Sequence, residues 1–393
     1  MLVVLYHILR LYAENGLELP PCNNTVETLV SASKFEGLRD RENLLMMAAR
    51  LQPESPEPHV RAEVVYRLSV MLPSRGRISD SEHTITEFFN SQSSNPNQES
   101  HYYLGLLYLS QANNHAYRFD FRRAREETCK WHPSSDNLSD SEHRLLCDQL
   151  CCNGRNLRGE GQFDEAMRCF QGCLATPGLS RPKRLLITSH ISDLYCELDY
   201  MQRNNAYQLT LQSTCLDRER KIVQREVDYM RACGKPSKGL RRLLLSLIEI
   251  EIRQGHLDRA EYLISELLGI YSRIADPDVD DRVGHVRTLT ARARISQLCE
   301  AEWHWNAALL QNSVYNPLEE EVFTCGVIRL FISFVRFQLE DVDGSRCIFE
   351  KATEVICRKR PQFLMPGMGT YLFDFVRSEL QSRAGWVLPK IAE

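Results

Sequence analysis

The 393-residue sequence lacks any apolar run long enough to span a lipid bilayer. Its first ten residues, MLVVLYHILR, are largely apolar, but a membrane-spanning helix needs about 20 such residues. No basic residue precedes this run and no small-residue cleavage site follows it, so it lacks the pattern of a secretory signal peptide. The 14 cysteines are too few for a disulfide scaffold. These absences predict reduced thiols in a cytoplasmic protein, with the nucleus as the alternative compartment.

The sequence also lacks a large excess of charge of one sign. It contains 48 lysine and arginine residues against 52 aspartate and glutamate residues, a formal net charge of −4. A balance this small argues against nucleic-acid binding through bulk electrostatics. Only nine of the basic residues are lysine. Arginine suits interfaces because its guanidinium can pair a carboxylate through two hydrogen bonds, although genomic base composition explains the bias more simply.

Strand patterns are missing as well. No alternating apolar and polar run is bounded by turn residues, and no hairpin dipeptide joins two such runs. Helical periodicity is present instead. In RRLLLSLIEIEIRQG (241–255), Leu244, Leu247 and Ile248 lie at the spacing of one face of a helix. A second apolar stripe of the same kind follows Gly255. The sequence therefore predicts an all-helical chain.

The pentapeptide SDSEH occurs twice, at residues 79–83 and 139–143, each time ahead of an apolar periodic segment. A serine followed three residues later by glutamate is a capping box. In this box the serine hydroxyl accepts from a backbone N–H of the first helical turn, and the glutamate accepts from the N–H of the serine. We therefore predict helix starts at Ser79 with Glu82 and at Ser139 with Glu142. The alternative interpretation is that these serines are phosphorylation sites of the kind recognised through neighbouring acidic residues.

Side chains that could bind a metal ion are concentrated in one segment. Cysteines occupy positions 147, 151, 152, 169 and 173, and His143 lies one helical turn before the first of them. Thiolates and imidazole bind zinc, but Cys173 falls where two helices should touch, and cysteine acts there as a small apolar residue. We predict core packing, no metal site and no bound cofactor. The acidic run 276–281 lacks the glycine and the bidentate glutamate of a calcium loop, and predicts an acidic turn.

The segment LCCNGRNLRGEGQFDEAMRCFQGCLATPG (150–178) places small and large residues at the spacing of a helical hairpin. Gly154 and Ala166 are small where the two helices would touch, and Phe170 is large where it would fill a neighbouring hole. On these residues, the unit over about residues 146–177 resembles a tetratricopeptide repeat (TPR). Weaker copies surround it. Their corresponding positions are Ala260, Ile264, Ser345, Phe349 and Ala352.

The resemblance implies an all-α fold, a right-handed superhelical α-solenoid of TPR-like helix pairs with a C-terminal capping helix. Stacked neighbours would bury the apolar faces that a single pair cannot hide. It divides the chain into an N-terminal helical segment (1–58) that packs on the array, the TPR-like repeats (60–360), and a capping helix with its tail (361–393). The first helix starts at Met1 without a capping residue, which predicts a fragment or a relative of a longer protein.

In TPR arrays the first helix of each pair lines a concave groove that holds a peptide or a partner helix. The family's lysine and asparagine clamp for a C-terminal carboxylate is not matched, because Cys151 and Arg155 occupy the equivalent positions. The resemblance therefore implies an internal acidic or apolar segment of a protein partner. The register gives these groove positions: Asp148, Arg155, Arg158, Arg242, Glu249, Arg253, Phe334 and Phe337.

We therefore predict a non-catalytic protein–protein interaction scaffold or adaptor that binds neither nucleic acid nor membranes. Motifs typical of serine hydrolases, zinc proteases and dinucleotide-binding domains do not occur in the sequence. Two alternatives stay open. One is a sensor or regulatory helical-repeat module related to signalling nucleotide-binding ATPases. The other is an enzyme, or an accessory factor of a biosynthetic pathway, that uses an enclosed pocket in the superhelix.

Overall fold

The computed structural model describes residues 23–33, 41–51, 58–74, 77–91, 98–118, 120–133, 138–203, 215–234, 236–275, 277, 279–315, 323–358, 376 and 379–387. Within these ranges the chain forms sixteen α-helices and no β-strand, with further helical residues at 379–384. The prediction of an all-α fold is confirmed. No helix within the same ranges is both long and apolar enough to cross a membrane.

The helices follow one another with short connections. They are α1 (Asn23–Ser33), α2 (Arg41–Arg50), α3 (Pro58–Ser74), α4 (Ile78–Asn90), α5 (Gln98–Tyr117), α6 (Phe121–Thr128), α7 (Asp140–Gly159), α8 (Phe163–Ala175), α9 (Arg181–Arg203), α10 (Cys215–Ala232), α11 (Lys238–Arg253), α12 (Leu257–Tyr271), α13 (Val279–Ile295), α14 (Leu298–Tyr315), α15 (Phe323–Gln338) and α16 (Val342–Arg358).

The chain divides into two compact units, Met1–Cys152 and Asn153–Glu393. In the first unit each helix from α1 to α5 packs on the next one along the chain, and α3 also contacts α1 and α5. Leu29, Leu45 and Val64 are buried together where α1, α2 and α3 meet. The division between the units falls inside α7, within the predicted repeat region. The predicted boundaries near residues 58 and 360 stay predictions.

The second unit repeats the same packing pattern. Each helix from α8 to α15 packs on the next, and alternate helices also meet, α9 with α11 and α11 with α13. Its largest core cluster includes Leu244 and Leu247 of α11 and Leu267 of α12, which are fully buried. Contacts between neighbouring and alternate helices are what stacked helical hairpins produce. The second unit is therefore built from helix pairs that bury their apolar faces against one another.

Small side chains lie where the paired helices approach most closely. A methyl group added to Gly154 of α7 would lie 2.7 Å from Cε1 of Phe170 on α8. This distance is too short for ordinary packing, so the two helices approach closely because position 154 has no side chain. All of the predicted repeat positions are buried. They are Gly154, Ala166, Phe170, Ala260, Ile264, Ser345, Phe349 and Ala352.

One of the two predicted capping boxes forms. The backbone N–H of Ser139 donates to Oε2 of Glu142 at 2.9 Å, and the N–H of Glu142 donates to Oγ of Ser139 at 3.3 Å. The predicted helix start at Ser79 is wrong, because α4 already begins at Ile78 and its N-cap is Arg77. Ser79 accepts from Arg118 instead. The same five letters therefore cap one helix and lie inside the first turn of another.

The predicted N-terminal segment and C-terminal cap lie partly outside the described residues. Within the first, α1 and α2 pack on each other and on α3. Within the second, Val376 and Leu380 are buried, and Trp386 contacts Phe337 and Phe349 with ring centroids 5.7 and 5.4 Å apart. The described C-terminal residues thus cover the end of α15 and α16. Residues 1–22 and most of 359–378 fall outside the description.

We predict that Gly154→Ala destabilises the protein although alanine is the better helix former. Alanine gains about 1 kcal/mol of helix propensity, but its methyl group must displace the buried Phe170 ring, which costs about 1–3 kcal/mol. Gly269→Ala on α12 is the matched control, because nothing lies within 4 Å of its added methyl group. Urea unfolding should show a lower free energy of unfolding for the first variant and an unchanged or higher one for the second. Equal effects would contradict the close approach.

Candidate partner-binding face

Alternate helices of the second unit carry charged and polar side chains that form ion pairs and hydrogen bonds with one another. We call this set the polar seam. It begins on the last turns of α7 and continues over α9, α11 and α13. Because α9 contacts α11 and α11 contacts α13, side chains from three successive pairs can meet. The residues of the polar seam are Arg158, Asp193, Glu197, Ser246, Glu249, Arg253, Arg287 and Arg294.

The seam starts at Arg158, which is only 4% exposed. Its Nη2 and Nε donate to the two carboxylate oxygens of Glu197 at 2.6 and 3.1 Å, and its Nη1 donates to Asp193 at 3.4 Å. Burial alone would lower the pKa of Arg158, but the two carboxylates outweigh burial and raise it. Two-pronged guanidinium–carboxylate contacts are among the stronger hydrogen bonds in proteins. Arg158 therefore fixes α7 against α9 as a charged side chain.

Asp193 extends the seam to two more helices. Its Oδ1 accepts from the hydroxyl of Ser246 on α11 at 3.2 Å, and its Oδ2 lies 3.5 Å from Nη2 of Arg287 on α13. Arg287 on α13 thus extends past α11 and contacts α9, which belongs to the helix pair two pairs earlier in the chain. Such a contact is geometrically possible only on a face where α9, α11 and α13 lie close together. One aspartate therefore connects four helices.

Glu249 forms the second cluster of the seam. Its carboxylate accepts from Nη1 and Nη2 of Arg294 at 2.7 and 3.1 Å and from Nε of Arg253 at 3.2 Å. Burial raises the pKa of Glu249, but the two guanidinium groups outweigh burial and lower it to about 2. Burial also raises the pKa of the neighbouring Cys196 thiol. Cys196 is therefore an uncharged part of the packing beneath the ion pairs.

His190 lies on α9 beside the seam and stacks on Phe170, with ring centroids 5.5 Å apart. Burial lowers the pKa of His190 well below its ordinary value, and the nearby Arg155, Arg158 and Arg242 lower it further. The ring is therefore neutral near pH 7 and packs as an aromatic side chain. Its surroundings do not favour a protonated, partner-binding histidine.

The structure brings together three of the predicted groove residues, Arg158, Glu249 and Arg253, in the seam. Arg155 is half-buried on α7, one turn before Arg158. Arg242 lies near the start of α11 and pairs with Asp280. The remaining predicted positions lie elsewhere. Asp148 belongs to the first unit, where it adds to burial in raising the pKa of Tyr66 and Tyr102, and Phe334 and Phe337 are half-buried on α15.

Sequence reasoning missed four charged members of the seam, two acidic and two basic. Asp193 and Glu197 are four residues apart on α9, so both face the same side of that helix. Arg287 and Arg294 are seven residues apart on α13 and also share a face. These spacings were the available signal. These spacings identify a shared binding face only when α9 and α13 have first been aligned with the weaker repeats.

The cysteine segment carries no metal-binding arrangement in the part of the chain that is described. Cys147, Cys151, Cys152 and Cys173 are buried. The described residues contain no group of three or more histidine, cysteine or acidic side chains placed to hold an ion. Thr128 contacts the Cys152 sulfur at 3.9 Å. These thiols pack between helices.

We predict that Glu249 makes the protein more stable above its ordinary pKa of 4.5 than below it. Because folding lowers this pKa to about 2, the contribution is fully present above about pH 4.5 and is lost as the pH falls towards 2. Glu249→Gln should lower the free energy of unfolding by about 3 kcal/mol near pH 7, and the difference from the native chain should shrink at low pH.

Urea unfolding at several pH values between about 7 and 3 measures this difference. Glu350→Gln is the control, because Glu350 forms a surface pair with Arg346 in which both side chains are 67% exposed. The control should change the free energy of unfolding by less than about 0.5 kcal/mol at every pH. A gap for Glu249→Gln that stayed constant down to pH 3 would contradict the coupling of Glu249 to its arginines.

Comparison with known proteins identifies the fold. No family model matches the chain, and no curated protein matches it. A solved structure described as "Crystal Structure of Rap Protein Complexed with Competence and Sporulation Factor" is similar over 84% of this chain and 83% of that chain, with a TM-score of 0.57 and 9% sequence identity. At this identity the likeness concerns the fold alone. The chain has a helical-repeat fold similar to that of the Rap protein.

Proposed function

We propose that this chain is a non-catalytic protein-interaction scaffold that binds an acidic segment of a partner protein on the face carrying the polar seam. The observation that carries the proposal is the charge of the seam. Its four guanidinium groups (Arg158, Arg253, Arg287, Arg294) exceed its three carboxylates (Asp193, Glu197, Glu249) by one. Arg155 adds positive charge at its margin, where Arg242 also lies and pairs with Asp280. The whole chain, in contrast, has a net charge of −4.

The ion pairs matter for binding because they fix the arginine side chains before a partner arrives. A free arginine loses rotamer freedom when it is immobilised in an interface, at a cost of about 0.5–1.5 kcal/mol. The arginines of the seam are already held by Glu197, Asp193 and Glu249. Arginine is also enriched among the residues that contribute most to binding energy in interfaces. The seam is therefore suited to recognition of carboxylates.

The similarity to the Rap protein supports the proposal because that protein was solved in complex with another molecule, the Competence and Sporulation Factor. A helical-repeat fold presents one face over many helices, and this suits binding of an extended segment. The alternatives of a sensor module related to signalling ATPases and of an enzyme with an enclosed pocket stay hypotheses. So do the cytoplasmic location and the individual groove positions.

We predict that Arg155→Glu/Arg242→Glu loses its partners. Arg155 is half-buried and Arg242 forms an ion pair at a half-exposed site, so both can be changed without removing a buried seam pair. Affinity purification with mass spectrometry from the native host should show at least about fivefold lower recovery of bound proteins, because reversed charge repels an acidic segment.

The matched control is Arg168→Glu/Arg346→Glu, which changes the net charge equally. These arginines are 71% and 67% exposed on α8 and α16, and within the described residues each pairs only with a glutamate of its own helix, Glu165 or Glu350. Thermal unfolding by circular dichroism should confirm that both double variants are folded. Unchanged recovery of every partner by the Arg155/Arg242 variant would refute the proposed binding face.

A further inference from the structure

A second basic site lies on the other helices of the same unit. Four cationic side chains, one amide and one carboxylate line an open depression of about 440 Å³ between α10 and α12. These helices alternate with those that carry the polar seam. We call this feature the basic depression. Its lining residues are Arg220, Lys221, Gln224, Arg225, Asp228 and Arg259.

The spacing along α10 explains why these side chains converge. Arg220, Gln224 and Asp228 are separated by four residues, and Lys221 and Arg225 follow the first two by one residue each. Residues at these intervals share one face of a helix. Arg259 lies in the first turns of α12 and closes the depression from the other side. The lining therefore carries four positive charges and one negative charge.

A buried glutamate forms ion pairs with two of the arginines that line the depression. Glu251 at the end of α11 has no exposed surface, and its Oε1 lies 2.9 Å from Nε of Arg220 and 2.9 Å from Nε of Arg259. Nδ1 of His256 lies 2.8 Å from its Oε2. Both arginines thus use the inner nitrogen of the guanidinium for Glu251. Both arginines also line the depression, so their outer nitrogens are available to a ligand there.

The remaining nitrogens of these side chains could donate hydrogen bonds to an anion. Nη2 of Arg259 donates to the Gln224 side chain, which itself lines the depression. Among the residues that the structure describes, the Nη atoms of Arg220 donate no hydrogen bond, and the ammonium of Lys221 has no hydrogen-bond or ion-pair partner. Arg225 is 75% exposed and its carboxylate contact, with Glu226, is 3.5 Å long. Two guanidinium groups paired with Glu251 and two exposed cations therefore line one small volume.

We propose that the basic depression binds the phosphate of a phosphorylated serine or threonine in a partner protein. A phosphate monoester carries a charge of about −1.5 to −2 and three strong acceptor oxygens, so it can engage several guanidinium groups at once. A carboxylate has one charge and two oxygens, and it would leave much of this positive charge uncompensated. The four cations, Asp228 and the underlying Glu251 together carry a formal net charge of +2, which a compact dianion matches best.

The surface beside the depression suits a peptide. Tyr262 follows Arg259 by three residues on α12 and is 67% exposed, and Tyr229 follows Arg225 by four residues on α10 and is 46% exposed. Tyrosine and arginine are the residues most enriched in strong protein contacts. The Arg181 guanidinium already covers one face of the Tyr229 ring, with its carbon 3.4 Å from the ring centroid. The Tyr262 ring offers apolar contact to the residues next to a bound phosphate, which favours a phosphopeptide as the occupant.

Fluorescence anisotropy of the full chain with labelled peptides tests the proposal. The probe is a 12-residue peptide mixture with a central phosphoserine in otherwise randomised positions, compared with the same mixture carrying serine. The phosphorylated form should bind about tenfold more tightly or better, because its phosphate makes several charge-assisted hydrogen bonds. Lys221→Glu/Arg225→Glu should weaken its binding by about tenfold or more. Both residues are exposed, so the fold should be retained.

Arg168→Glu/Arg346→Glu is again the control with equal charge change, and it should alter the affinity by less than about twofold. Equal affinity for the phosphorylated and unphosphorylated mixtures would overturn the proposal, and so would equal weakening by the two double variants. Tighter binding of a 12-nucleotide single-stranded DNA would assign the depression to nucleic acid and also overturn it. None of these results bears on the polar seam, because Lys221 and Arg225 lie on α10 and Arg168 and Arg346 lie on α8 and α16, outside the seam.

Discussion

A guanidinium group that is removed from water must find carboxylates, and this constraint governs the second unit. Arg158 is buried near the end of α7 and meets that requirement through Glu197 and Asp193 of α9. Leaving such a charge unpaired would cost several kcal/mol. The side of α9 that bears these two carboxylates must therefore face α7. The placement of α9 then positions Asp193 to accept from Ser246 and to meet Arg287.

Close packing of the helices makes these contacts possible. Gly154 and Ala166 allow α7 and α8 to approach, and the fully buried Ala260 and Ala352 mark the corresponding places further along the chain. The apolar residues between the helices supply most of the stabilising free energy. Buried ion pairs add little net stability to such a core, and we infer that these pairs instead specify which helix faces meet. One arrangement of helices thus produces both a stable unit and a charged face.

The sequence was sufficient to predict the helical segments and the small or large residues at the positions where paired helices touch. The spacing of Leu244, Leu247 and Ile248 predicted α11, and Ser139 with Glu142 predicted a true capping box. The same pattern failed at Ser79, since α4 begins one residue earlier at Ile78. Repeat register also predicted Arg158, Glu249 and Arg253 as groove positions, and the structure places all three in the polar seam. It could not reveal their pairing, because the partners of Arg158 are 35 and 39 residues away on another helix.

A double-mutant cycle on Arg158 and Glu197 tests most directly whether this buried contact organises the unit. The free energies of unfolding of Arg158→Met, Glu197→Gln and the double variant would be measured in urea and compared with that of the native chain. We expect each single variant to lose about 3 kcal/mol and the pair to show a coupling energy of about 2 kcal/mol, because either partner alone leaves a buried polar group unmatched. Effects that add to within about 0.5 kcal/mol would contradict this account.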